Sequence, residues 1–383
     1  MTGPLNGPLR PVFVTGRGAV TALGRGVPAL LAGLAAGRTG VLPRRRTAAW
    51  ATPTAVAGEF PAEVVAELGG GGDLAFRSAL MAANEALAEA GEPDRRRLGL
   101  VLASTKGDLS GVLDVGTGLG LPARLAHRTA AALGLGGVIG GVIGSVSCAC
   151  ASGLVGLAMA ARRLATGELD SVLVVGVDVL HEFVMAGFGS LHALDPGACR
   201  PFDRARRGLS VGEAAGALVL SVHDTESVGA ALVGHGGAND ACHVTGPDRQ
   251  GQGLALATAR ALRSARLTTA TIDLLHLHGT ATAANDTTEA LGLVGLWGGR
   301  TPPAFGTKGQ TGHTLGAGGV IETIASIGAL QGRRAFANHG LVDGDVDPGL
   351  DLVRTTRELP RARHALKVAS GFGGVQAAMV IRV

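Results

Sequence analysis

Two cysteines stand one residue apart in SVSCACASG, Ser145 to Gly153, in a chain that has only four cysteines. The thiolate is the nucleophilic form of cysteine, so the question is which of the two sits where ionisation is favoured. The residues before them, IGSVS, form an apolar strand. The residues after, ASGLVGLAMAARRLATG, have helical spacing and a stop at Gly167. Cys150 therefore falls at a strand-to-helix turn, where unpaired N–H groups and the helix dipole favour a thiolate. Cys148 lies two residues back, at the strand's end, and reads as buried packing.

Two histidine segments accompany it. In HLHGTATAAND a β-run ends at His278, whose ring can project into a cleft, and Thr280 and Thr282 follow at alternating positions. His276 reads as a satisfied core residue. In TKGQTGHTLGAGGVIE, Lys308 and His313 bracket a glycine turn, and His313 falls at a helix start, the place Cys150 holds earlier in the chain. The GAGG run lets that helix approach another backbone closely. A thiol with two imidazoles is a working set for acyl transfer through a thioester.

The elements that must position these groups recur. VFVTGRGAVTALG opens as a strand and Gly-rich turn; AALVGHGGAND has the same character. FRSALMAANEALAEAG and ALATARALRSA are helical, LGLVLAST resembles IDLLHLHGT, and EAAGALVLSV resembles VQAAMVIRV. The cysteine and His313 segments are both strand, turn and helix. This order predicts a duplicated α/β fold, with halves at residues 10–224 and 225–383 and a join near Asp224 to Gly229.

Composition narrows the alternatives. The 383 residues are 46% hydrophobic and 17% charged, enough for a large core, with little disorder expected beyond the opening MTGPLNGPL. That opening has no leader pattern, so none is expected. Tyr is absent and Phe and Trp are few, which argues against a base-stacking surface, so no nucleic-acid partner is expected. The formal charge of +4 rests on arginine knots such as Arg44 to Arg46, Arg95 to Arg97 and Arg204, Arg206 and Arg207; these are either a solvated surface or a dock for an acidic partner. From Thr129 to Ala161 there is no charge, but glycines and serines break the run. It reads as strand, turn and helix, not a membrane span. Four cysteines without a zinc-type pair predict neither disulfides nor metal, and fit a reduced, cytoplasmic setting.

Five segments in order, VSCACASG, RPFDRARRGLSVGEAAG, HGTATAAND, KGQTGHTLGAGG and SGFGGVQAA, resemble the successive signatures of elongating β-ketoacyl-[acyl-carrier-protein] synthases of the thiolase-like superfamily. The resemblance runs nearly end to end. It implies the five-layered αβαβα thiolase fold of two duplicated halves. It implies that Cys150 is the acyl-accepting nucleophile, since the family's nucleophile directly precedes the small residues that begin the helix. His278 and His313 then match the catalytic histidines, Lys308 and Glu322 their supporting pair, and Thr280 and Thr282 the threonines that bind the carrier's phosphopantetheine arm. Phe372 matches a gating phenylalanine whose backbone N–H, with that of Cys150, forms an oxyanion hole. The implied reaction needs no cofactor. Its implied partners are acyl carrier protein and a second subunit, as a homodimer or as a heterodimer with a chain-length-factor-like protein.

Some positions depart from the pattern. Ala281 stands where Gly or Ser is usual, Ser370 where Phe often precedes GFGG, and Gln376 where Asn is common. The interval from Lys106 to Gly144, which shapes the dimer interface and acyl tunnel in relatives, is short. ASTKGD, GVDVLHEFVMAGFGSLHALDPGACRPFD and NDACHVTGPDRQGQG resemble the synthases of aryl-polyene and flexirubin-type pigment pathways. A thiolase would use a second cysteine near its C-terminus, and none follows Cys242. Chalcone-synthase-like enzymes would place Asn where His313 stands. Chain-length-setting partners typically lose the nucleophile, which is retained here.

Overall fold

A computed structural model describes residues 11–109, 121–135, 141–167, 169–225 and 227–383. The opening MTGPLNGPL and part of the interval from Lys106 to Gly144 lie outside the described residues.

The first half supplies β1 (Val12–Thr21), α1 (Val27–Ala35), α2 (Leu74–Glu89), β2 (Leu98–Ala103), α3 (Pro122–Ala132), β3 (Gly141–Val146), α4 (Ser152–Ala165), β4 (Ser171–Asp178), α5 (Glu182–Ser190) and β5 (Ala214–Ser221). The second supplies β6 (Ala230–Asn239), α6 (Gln252–Ala265), β7 (Leu274–His276), α7 (Ala283–Trp297), β8 (Ala304–Phe305), α8 (Gly318–Gln331), β9 (His364–Gly371) and β10 (Val375–Arg382). Hydrogen-bonded neighbours run β3-β2-β4-β5-β1 in one half and β8-β7-β9-β10-β6 in the other. In each, the first strand pairs antiparallel with the last, the last antiparallel with the fourth, and the remaining pairs are parallel. The two topologies are the same, so the recurrence seen in the sequence is a recurrence of fold.

The halves join where β1 and β6 pair antiparallel, Val12 with Leu232 and Val14 with Ala230. Helices α4 and α8 touch each other and strands of both halves, so they form the middle layer. Helices α2 and α3 cover the outer face of the first half's strands; α6, backed by α7, covers those of the second. These are the five layers of the thiolase-type arrangement. Strands with helices on both faces must be apolar throughout, and β4 (SVLVVGVD) is buried along nearly its whole length.

Glycine sets the spacing at the layer contacts. A Cβ on Gly16 or Gly18 of β1 would lie 1.9 Å from the carbonyl oxygen of Ala86 or Ala82 on α2. The matching pair, Gly234 and Gly236 of β6, would meet the carbonyls of Ala261 and Ala257 on α6 at 2.5 and 2.1 Å. In the middle layer a Cβ on Gly319 would lie 2.3 Å from the Leu154 nitrogen, and one on Gly153 2.8 Å from the Gly319 Cα. The α4–α8 crossing therefore brings two backbones into direct contact, as the GAGG run predicts. Each of these helices begins beside a residue that could do chemistry.

Candidate active site

Cys150 ends a tight turn between β3 and α4. The turn closes through an Ala151 N–H to Cys148 carbonyl bond of 3.1 Å, and the Ser152 hydroxyl accepts from the Cys148 N–H at 2.8 Å. Ala149 takes the left-handed region, φ 48°, an uncommon conformation for a residue with a Cβ. The result presents Cys150 just ahead of α4. Cys148 is half-buried, not buried as its position in the sequence suggests, and packs against the central core.

His313 precedes α8 by one short 3-10 turn, Leu315–Ala317, so it stands slightly upstream of the helix start expected for it. Its Nε2 lies 3.0 Å from the Cys150 Sγ. The His278 ring is edge-on to it, with centroids 5.4 Å apart and planes at 88°. Asp178 ties this arrangement together: its Oδ2 accepts from the N–H of Gly316 at 2.7 Å and of Thr105 at 2.9 Å, and Lys106 Nζ lies 2.8 Å from its Oδ1. The ASTKGD stretch thus anchors the His313 turn to the end of β2.

Charged groups hold His278 from behind. Lys308 Nζ donates to the His278 carbonyl, lies 3.4 Å from its Nδ1, and pairs with Glu322 Oε1 at 2.6 Å. An ammonium facing Nδ1 makes that nitrogen the acceptor and leaves the ring proton on Nε2, the atom free to serve the cavity. Glu289 on α7 accepts from the N–H of His278 and, at 2.8 Å, from that of Gly279. Asp286, one turn earlier, accepts from the N–H of Thr280 at 3.0 Å and of Phe202 at 2.7 Å. Thr280 and Thr282 hydroxyls touch at 2.9 Å. His276 bonds Ser326 at 2.8 Å and stacks on Phe305, in keeping with a core role.

Burial decides the protonation states. It holds both His278 and His313 well below the ordinary imidazole value, and the Lys308 ammonium adds to the shift. Both rings are neutral. Burial also pushes the Cys150 thiol up to about 12, against the pull of Lys308. A helix N-terminus favours the anion and desolvation of the buried sulfur opposes it, with the His313 imidazole 3.0 Å away.

The three groups open into one cavity of about 430 Å³, which Thr280, Thr282 and Phe372 also line. Gly371 sits so close to the cysteine turn that a Cβ there would lie 2.8 Å from the Cys148 carbonyl oxygen. This contact sets the Phe372 peptide beside Cys150. Phe372 is 38% exposed and its ring packs against Phe188 at 5.9 Å. Ser370, Gln376 and Asp240 form a hydrogen-bonded chain along the wall, Ser370 to Gln376 at 2.7 Å and Gln376 to Asp240 at 2.9 Å. Two of the sequence departures, Ser370 and Gln376, are thus hydrogen-bonded to each other.

The arginine knots divide. Arg46 pairs with buried Glu213, Arg97 with Asp170 and Arg204 with Asp343. Arg206 is only 6% exposed. Arg207, 61% exposed, lies 3.6 Å from the buried Asp195 carboxylate and reaches the cavity mouth. Sequence reasoning did not single out Glu289, Asp286 or Lys367. The first two carried a signal: acidic residues in the first turns of a helix that follows a loop cap the N–H groups of that loop.

The chain matches the family model "Beta-ketoacyl synthase, N-terminal domain" over residues 9–225 and "Beta-ketoacyl synthase, C-terminal domain" over 229–341. It belongs to the β-ketoacyl synthase family. It is 30% identical to 3-oxoacyl-[acyl-carrier-protein] synthase 2 of Rhizobium meliloti (strain 1021), over 98% of this chain and 99% of that protein. It is 32% identical to the enzyme of the same name from Vibrio harveyi, over 62% of this chain and 61% of that protein. The solved structure titled "The ishigamide ketosynthase/chain length factor" superposes with a TM-score of 0.86 at 28% identity, covering 98% of this chain and 99% of that one. The family's fold is the one described above.

Proposed function

We propose that this chain is a β-ketoacyl-[acyl-carrier-protein] synthase that condenses a Cys150-bound acyl group with malonyl on acyl carrier protein. The observation that carries this is the convergence of one thiol and two neutral imidazoles, 3.0 Å from Sγ to the His313 ring and 5.4 Å between rings, in one cavity. The relatives named 3-oxoacyl-[acyl-carrier-protein] synthase 2 support the reaction.

In the first stage the Cys150 sulfur attacks the acyl thioester. The Cys150 proton ends on the departing carrier thiol, and the acyl chain stays on Cys150. The backbone N–H groups of Cys150 and Phe372 receive the oxyanion. In the second stage malonyl thioester loses CO2, and the electron pair of the broken C–C bond becomes a thioester enolate. Neutral N–H donors from His278 and His313 suit that oxygen, because they stabilise charge without delivering a full proton. The enolate carbon attacks the acyl-Cys150 carbonyl, the β-ketoacyl product forms on the carrier, and the Cys150 sulfur leaves and takes up a proton. Thr280 and Thr282, at the cavity wall, hold the phosphopantetheine arm; Lys308 and Glu322 fix the His278 tautomer; Phe372 gates the nucleophile. No metal or redox cofactor enters these steps.

The partners under this reading are acyl carrier protein and a second subunit, either a copy of this chain or a chain-length-factor-like protein, as in the ishigamide complex. The subtype is the polyene-type synthase of secondary metabolism, and the location is the cytoplasm; among the described residues no helix is long and apolar enough to cross a membrane. A chain-length-setting role without catalysis conflicts with the intact Cys150, His278 and His313 set. The test is incubation with acyl- and malonyl-acyl carrier protein, alone and with a candidate partner subunit, read by mass spectrometry of the carrier. Release of CO2 with a β-ketoacyl carrier supports the reading. Absence of product in every combination refutes it.

A further inference from the structure

Lys367 lies inside β9 in HALKVAS, a charge in an otherwise apolar buried run, and is fully buried. Its Nζ lies 2.8 Å from Glu322 Oε2 and donates to the carbonyls of Leu277, at 3.0 Å, and Val368. Three acceptors match the three N–H bonds of an ammonium, so the group is held as a cation. Glu322 therefore carries a separate ammonium on each oxygen, Lys308 on Oε1 and Lys367 on Oε2.

The two lysines also grip consecutive peptides of the loop that carries the first imidazole. Lys367 holds the Leu277 carbonyl, Lys308 holds the His278 carbonyl, and Glu289 holds the N–H groups of His278 and Gly279. One lysine would suffice to neutralise Glu322. The second leaves positive charge behind the imidazoles wherever Glu289 is protonated.

We propose that Lys367 is a positioning residue which, by its bonds to Glu322 and the Leu277 carbonyl, holds the His278 loop and a positive charge behind the imidazoles and so extends the working range of the site to lower pH. This rests on the reading that both imidazoles act as neutral donors. The charged and titratable groups around Lys367 are Glu322 on α8, Lys308 and His313 ahead of α8, Glu289 on α7, and the rings of His276 and His278. Burial pushes the Glu289 carboxyl up to about 7. Below that pH the cluster of two lysines and two acids has an excess of positive charge, in the range where an imidazole would otherwise take a proton. Burial lowers Lys367 itself to about 8, so it remains charged there. Lys367 also adds to the depression of His276, His278 and His313.

The test is Lys367→Met, which keeps the length and removes the charge, with Lys367→Gln as a second variant that keeps a donor. Two pH profiles are taken: alkylation of Cys150 by iodoacetamide, read on the Cys150 peptide by mass spectrometry, and kcat/KM for condensation. Removing a cation raises the pKa of a thiol–imidazole pair whichever of the two holds the proton. The acid limb of both profiles moves up by about one pH unit, roughly a tenfold loss at each pH on that limb, with plateau rates within about twofold of wild type. An unchanged acid limb in folded variants, with only a lower Tm, overturns the proposal, as does failure of both variants to fold. A wild type that alkylates with the stated profile and shift but never condenses would refute the functional reading and leave the role of Lys367 standing.

Discussion

Replacing Gly319 by alanine should disable the site from the middle layer, without touching a reacting atom. The added Cβ would lie 2.3 Å from the Leu154 nitrogen and 2.7 Å from the Gly153 carbonyl carbon. Both are backbone atoms of α4, so no side chain can swing away. Ordinary contact is near 3.5 Å, and α4 and α8 must separate by about 1 Å. Cys150 leads into α4 and His313 into α8, so the shift falls on their 3.0 Å contact. A misplacement of about 1 Å costs on the order of a hundredfold in rate. The overpacking itself costs about 1–3 kcal/mol. Gly295→Ala is the control: it lies in α7, and a Cβ there meets nothing within 4 Å. It should be neutral or stabilise by up to about 1 kcal/mol. The assay is the rate of Cys150 acylation by acyl-carrier thioester together with Tm for both variants. A Gly319→Ala protein with wild-type acylation and the stability of the control would refute the close-packed crossing as the device that sets the site.

His278→Ala should leave Cys150 acylation within severalfold of wild type, because His313 is the ring at Sγ, while decarboxylation of malonyl-carrier falls by about 10²–10³-fold; equal loss of both steps in the two half-reactions would contradict the division of roles. Stability should fall as pH drops below about 6.5, since burial depresses His276, His278 and His313 in the fold and the unfolded chain binds the extra protons. Glu289, raised to about 7, works in the opposite direction, its contribution being full below about 4.5 and lost as pH rises to 7. Three histidines outweigh it, so a Tm that stays flat or rises from pH 6.5 to 5 would sink this balance. Arg207→Gln, at the cavity mouth, should raise KM for carrier-bound substrate severalfold and leave Cys150 alkylation unchanged; a parallel loss in both would remove this residue from carrier docking.

The fold was legible because its layers impose strong patterns. Doubly covered strands such as β4 must be apolar throughout, and the duplicated element order reproduces itself in the same strand order twice. The glycines of GAGG announced a close approach that Gly319 makes. The principal site residues were legible because each ends a strand or turn with a distinctive neighbourhood, Cys150 before small helix-starting residues and His278 before Gly279. The groups that tune them were less so. Lys367 sits in a strand that is otherwise apolar and buried, and its partner Glu322 is 45 residues away in sequence. No local pattern encodes that pairing; it exists only once α8 lies across β9. The environment of the thiol was legible only in part: a helix N-terminus is visible in sequence, whereas burial of Cys150 is a property of the assembled layers.

The most direct measurement is intact-protein mass spectrometry after incubation with a panel of acyl-carrier thioesters, on wild type, Cys150→Ala and Cys148→Ala, with a candidate partner subunit added where the chain alone is inert. The account predicts one acyl adduct on wild type and on Cys148→Ala, none on Cys150→Ala, and a preferred acyl group that names the substrate class. An adduct that persists in Cys150→Ala or is lost in Cys148→Ala, or a chain that stays unlabelled with every partner, would contradict it.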